Sequence, residues 1–245
     1  MEILLIITFF LIAVIYSSVG FGGGTSYLAF MGVMAVSFDL MRPAALLCNI
    51  VVVTGGSVIF YRERLLEVRK IWPFMLASVP LAFAGGYYPI REQAFFQILG
   101  ITLIVASAFL WFYDGLSAET RKEQSDNVPL NLFIGGSIGF LSGLVSIGGG
   151  IFLSPILHFL RWDKARKISA LASVFILVNS VSGLMGQWSR STHMDWEFIL
   201  PLLVAVLLGG QIGSRWGARK FNPIYIRRIT SFLIFIAGIN ILITH

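Results

Sequence analysis

Residues 3–38 and 127–160 contain no Asp, Glu, Lys or Arg, and each run is roughly 35 residues long. As a single helix rising 1.5 Å per residue, such a run would measure about 50 Å, against a hydrocarbon core of about 30 Å. Two shorter helices joined by a turn fit better. Each run is interrupted by a glycine triplet, in "VGFGGGTSYLAF" at 19–30 and in "VSIGGGIFLSPIL" at 145–157. A glycine inside a helix costs about 1 kcal/mol relative to alanine, so three together mark where helix stops. The two runs are expected to form glycine-broken helical hairpins that return to the side they left, either re-entrant or reaching the far face.

The remaining apolar runs, 43–61, 71–90, 93–113, 168–189, 198–214 and 229–244, each suit one bilayer crossing. Composition agrees: 57% of residues are hydrophobic and 12% charged, against about 25% charged in a soluble domain. The net charge of +6 does not point to nucleic acid, because the basic residues lie in short connectors between apolar runs. With hairpins at both long runs, the connectors 62–70, 114–126, 161–167 and 214–228 fall on one side and hold 15 of the 18 Lys and Arg. Only Arg42, Arg91 and Arg190 remain opposite. That asymmetry puts the rich side in the cytoplasm and both termini outside it. The "MEILLIITFF" start has no basic flank and reads as a span rather than a cleaved signal. One cysteine and three histidines leave no disulfide, no metal-ligand cluster and no cofactor site to expect, and no enzyme chemistry.

The two halves align. At an offset of 126, Gly22–Gly24 fall on Gly148–Gly150. At 124, Asp39 and Arg42 fall on Asp163 and Arg166, Trp72 and Phe74 on Trp196 and Phe198, and Gly85–Gly86 on Gly209–Gly210. The chain therefore divides into a first repeat, 1–113, a polar linker, 114–127, and a second repeat, 128–245. Each repeat has one hairpin and three crossings, an odd number of crossings, so the second is expected upside down relative to the first. The fold class is an all-α polytopic membrane protein of two inverted-topology repeats. Inverted repeats with broken helices mark secondary transporters, whose sites lie near the midplane where the breaks approach.

Gly85–Gly86 and Gly209–Gly210 read as packing glycines. The triplets read as function, since freed N–H groups inside a bilayer need partners. Unpaired N–H groups at a helix start attract anions, and glycine lets a ligand come close to the backbone. No Lys or Arg lies deep in a predicted span, so neutral donors would hold the anion. The candidate substrate-binding residues are Gly22, Gly23, Gly24, Thr25 and Ser26 at the first break and Gly148, Gly149 and Gly150 at the second. Cys48, Asn49, its repeat counterpart Ser173, and Asn179 complete the set on neighbouring spans. Asp39/Arg42 and Asp163/Arg166 fit helix capping and local pairing, and His158 an interfacial position.

The stretches "GSIGFLSGLVSIGGGIFLSPIL" (136–157), "ISALASVFILVNSVSGL" (168–184) and "GGQIGSRWGARKFNPIYIRRI" (209–229) resemble the TauE/SafE family of membrane permeases. The similarity covers the whole chain and is strongest in the second half. It implies an inner-membrane carrier that exports sulfite or an organosulfonate such as sulfoacetate. The first half departs from the pattern: "TSYLAFMG" has no proline to match Pro155, and "AALLCN" replaces a serine-containing run. An asymmetric pocket is expected. The resulting reading is a carrier exporting a small sulfur-containing anion by alternating access around the paired breaks, with an anion channel or a carrier of another small organic anion as alternatives.

Overall fold

Glycine stops the helix at both triplets. In the computed structural model, which describes residues 2–18, 20–112, 127–160, 162–190, 194–220 and 223–244, helix α1 (Glu2–Ser17) gives way to α2 (Gly24–Val33) at the first triplet. Helix α6 (Val128–Val145) gives way to α7 (Gly150–Phe159) at the second. Gly23 (φ 88°) and Gly149 (φ 81°) cap α2 and α7 in the left-handed region, which glycine enters without steric cost. The new helices have ten residues each, about 15 Å, or half the hydrocarbon thickness. The second arm of each hairpin is thus too short to cross, which favours re-entry over reaching the far face.

The other helices are α3 (Phe38–Arg62), α4 (Val68–Tyr87), α5 (Glu92–Phe112), α8 (Ala165–Trp188), α9 (Trp196–Lys220) and α10 (Pro223–Thr244). Among the described residues the fold is entirely helical, with five helices long and apolar enough to cross a membrane: α3, α5, α6, α8 and α9. Most of the polar linker, 114–126, lies outside the described residues. Large apolar side chains cover the outside, among them Ile101, Val105 and Phe109 on α5, Leu200, Val204 and Leu208 on α9, and Phe232, Phe235 and Ile236 on α10. Their three- and four-residue spacing forms outward stripes suited to lipid.

Packing runs mainly between the halves. Helix α4 lies against α6 and α8, α9 against α1 and α3, α5 against α10, and α3 against α8. Glycine sets these contacts. A Cβ on Gly135, Gly139 or Gly143 of α6 would strike the carbonyl oxygen of Phe74, Ser78 or Ala82 on α4. Both sets recur every four residues, so one ridge of backbone lies directly on another. Gly209 and Gly213 of α9 meet Phe10 O and Val14 O of α1 in the same way. Gly85 and Gly86 abut Phe140 O and Gly183 O, which gives them the packing role read from the sequence.

The charged connectors join at one end. Arg166 Nη2 donates to the Glu63 carboxylate at 3.0 and 3.1 Å, Lys70 Nζ lies 3.2 Å from Asp163, and Lys167 pairs with Glu67. The local Asp163–Arg166 pair expected from spacing does not form. Asp163 takes Lys70 and Lys167, and Arg166 reaches across to α3 because Glu63 ends that helix beside it. At the opposite ends of α3, α4 and α8, Arg42 donates to Leu144 O at 3.2 Å and Arg190 to Tyr87 O at 3.3 Å. The few basic residues assigned to the poor side do lie away from the 62–70 and 161–167 connectors.

Gly143→Val should lower the melting temperature in detergent by several degrees, the effect of a 1–3 kcal/mol overpacking penalty. Gly32→Ala, whose Cβ would meet nothing closer than 3.6 Å, should leave it within a degree or two. Lys167, donating to Glu67, and Lys70 beside it hold the Glu67 carboxyl below the usual carboxylate range. A depressed folded-state value stabilises above the unfolded pKa of about 4.3 and is lost as pH falls through the folded one. A thermal-melt series from pH 7 to 3 should therefore show a drop below about pH 4 that is smaller in Glu67→Gln.

Candidate functional site

Both breaks meet one side chain. Asn49 lies midway along α3, is fully buried, and donates from Nδ2 to Ile147 O, just before the second triplet, at 3.0 Å. On its other side it fills the first break: a Cβ on Gly22 or Gly24 would run into the carboxamide. A Cβ on Gly148 would come within 3.2 Å of Asn49 Nδ2. The glycines are thus required by a close approach, and what approaches is an amide from the helix between them.

The remaining predicted residues divide. Thr25 and Ser26, in the first turn of α2, face Tyr16: its hydroxyl lies 2.6 Å from Ser26 Oγ and 3.5 Å from Thr25 Oγ1. Cys48 is buried in the larger apolar cluster, drawn from α1, α2, α3, α5, α9 and α10 with Val145, Ile147 and Ile151 of the second hairpin. Ser173 does not join Asn49. It lies 3.0 Å from Ser57 of α3 and 3.4 Å from Val53 O, and ties α8 to α3. Asn179 donates to Phe175 O of its own helix at 2.8 Å and leaves Oδ1 buried without a partner. His158 sits half-buried in the last turn of α7.

Sequence reasoning passed over three hydroxyls beside the triplets. Tyr27 OH is 3.1 Å from the Cβ position of Gly23, Ser142 Cβ 3.1 Å from that of Gly149, and Ser180 Oγ 2.9 Å from that of Gly148. All three are buried, with no hydrogen-bond partner at the oxygen. One signal existed: the offset of 126 sets Ser142 on Tyr16, two hydroxyl residues each just before a triplet. The site therefore offers two helix N-termini, one bridging carboxamide and several open hydroxyls. Among the described residues, no group of three His, Cys, Asp or Glu comes together to hold a metal.

A helical bundle with lipid-facing apolar stripes and two glycine-broken hairpins is a multi-pass membrane protein. The family described as Sulfite exporter TauE/SafE matches residues 5–241, and the chain belongs to that family. It is 30% identical over 244 residues to the probable membrane transporter protein y4hK of Sinorhizobium fredii, with 97% of each chain covered. It is 25% identical over 204 residues to the probable membrane transporter protein YfcA of Escherichia coli K12, covering 79% of this chain and 73% of that one. The probable membrane transporter protein YunE of Bacillus subtilis is 20% identical over 238 residues, with 86% and 87% covered. No solved structure matches the chain.

If Asn49 fills the first break, Gly24→Ala and Asn49→Ser should not be additive. Gly24→Ala alone should cost about 1–3 kcal/mol, and clearly less once the shorter serine makes room. A double-mutant cycle by chemical or thermal unfolding in detergent should return a coupling of about 0.5–3 kcal/mol.

Proposed function

We propose that this membrane transport protein is a secondary carrier that exports a small sulfur-containing anion, sulfite or an organosulfonate such as sulfoacetate, by alternating access around the two glycine breaks. The observation that carries this reading is the convergence of both breaks on Asn49, with the N-termini of α2 and α7 beside it. A helix N-terminus holds negative charge without a buried cation. Family membership supports the sulfur-containing substrate.

The two halves are proposed to be related by inverted topology. The packing supports it: α4 on α6 answers α9 on α1, and α4 on α8 answers α9 on α3. In this reading α3 and α8 form the pseudo-symmetric centre, and rocking of one half against the other alternately exposes the breaks. The Glu63–Arg166, Glu67–Lys167 and Lys70–Asp163 pairs would close the cytoplasmic end. The termini would lie outside the cytoplasm, in a bacterial inner membrane. Export needs no coupling ion, because an inside-negative potential drives a monovalent anion outward with about 2.3 kcal/mol per 100 mV.

In proteoliposomes loaded with sulfite or sulfoacetate, efflux should saturate, accelerate with external counter-substrate, and rise with an inside-negative potential. Gly23→Ala combined with Gly149→Ala, and separately Asn49→Leu, should each cut it at least tenfold. Flux that never saturates would assign the breaks to a channel, and flux untouched by the variants would return the triplets to packing.

A further inference from the structure

Arg42 carries a positive charge that no acidic side chain answers. It lies half-buried near the start of α3. At the connector end, by contrast, Arg166, Lys70 and Lys167 are paired with Glu63, Asp163 and Glu67. Among the described residues Arg42 forms no ion pair with a carboxylate, and the local pair with Asp39 expected from spacing is absent. Its guanidinium sits over the Phe38 and Phe95 rings, 5.2 and 5.6 Å from their centroids, and donates from Nη2 to Leu144 O at 3.2 Å. Its Nε is buried and has no hydrogen-bond partner.

Position adds to chemistry. Asn49 follows Arg42 by seven residues, two turns of α3, which sets both on one face about 10 Å apart along the axis. That face holds the corner ahead of the second triplet: Arg42 donates to Leu144 O and Asn49 to Ile147 O. Arg42 is thus one step out from the second break, on the side away from the charged connectors. An arginine does not shed its proton, and a buried N–H without an acceptor is destabilising. An oxyanion accepting from Nε satisfies the donor and balances the charge together, and the apolar rings beside it reduce screening by water. We propose that Arg42 forms a second anion subsite between the second break and the face opposite the charged connectors, where an oxygen of the transported sulfite or sulfonate accepts from Nε while Nη2 keeps Leu144 O. This rests on the reading of the breaks as the anion site and extends it, since the anion passes from neutral donors to a charged one.

The test is calorimetric titration of the purified full-length chain with sulfite and, in parallel, with sulfoacetate. The wild type should take up two anions per chain, one of them lost as NaCl is raised. Arg42→Gln should bind only one, with affinity within about threefold of the wild type's salt-resistant class, and should lose the steep salt dependence. Arg42→Met, which keeps an apolar stem against Phe38 and Phe95, should do the same and serves where Arg42→Gln does not fold. Arg42→Lys keeps the charge and should still bind two. Asn49→Leu should keep the salt-sensitive anion and lose the other. If Arg42 only caps the end of α6, the neutral variants lower the melting temperature but bind as the wild type does, with the same salt dependence. That result would overturn the proposal and leave the breaks as the anion site. Binding that is lost with the neutral Arg42 variants yet untouched by Asn49→Leu would keep this subsite and remove the breaks from the path. No binding of either anion to the wild type would remove both.

Discussion

Backbone that leaves the helix inside a bilayer must be wrapped in protein, and most of this architecture follows from that constraint. The chain leaves the helix twice inside long apolar runs, at 22–24 and 148–150. Helices α3 and α8 pack on each other and on the ten-residue arms α2 and α7, and both glycine triplets are buried. Asn49 serves both breaks, with an amide donor to Ile147 O and a carboxamide that occupies the space a Cβ would take on Gly22 or Gly24. The outer helices then have little to do but pack tightly, and they do so glycine against carbonyl.

Much of this was legible because it is periodic or one-dimensional. Uncharged run length located the hairpins, and the triplets located the breaks to the residue. The repeat register matched like with like at Asp39 and Asp163 or Trp72 and Trp196. The same register failed where the halves had exchanged chemistry. At an offset of 124, Ser180 falls on Gly56, so a search for matching residues passes over it. Ser173 matches Asn49 in register, yet it binds Ser57, because the serine side chain is too short to span a break. Pairing across distant connectors was equally hidden: Arg166 has Asp163 three residues away and still binds Glu63, 103 residues earlier, since only the fold sets α3 and α8 side by side.

The absence of a deep cation in the predicted spans shapes the energetics of the site. A buried Arg would bind an anion strongly and release it slowly. In the proposed carrier, helix N-termini and open hydroxyls would offer weaker, shared attraction, which suits release of the ligand on the other side. Among the described residues, Glu63, Glu67, Lys70, Asp163, Arg166 and Lys167 exchange partners at the ends of the helices, and Arg42 is the one full charge placed nearer a break, donating to Leu144 O at the end of α6.

The pairing of α1 with α9 has a consequence for how the protein comes into being. Helix α1 leaves the ribosome well before its partner α9, which begins only at Trp196. At about 5–20 residues per second, synthesis leaves the α1 face that receives Gly209 and Gly213 without its mate for roughly 10–40 s. The first half likewise waits with α4 unmatched until α6 arrives. Neither half is a finished object when it is made; the membrane, or the insertion machinery, has to hold the first until the second closes over it.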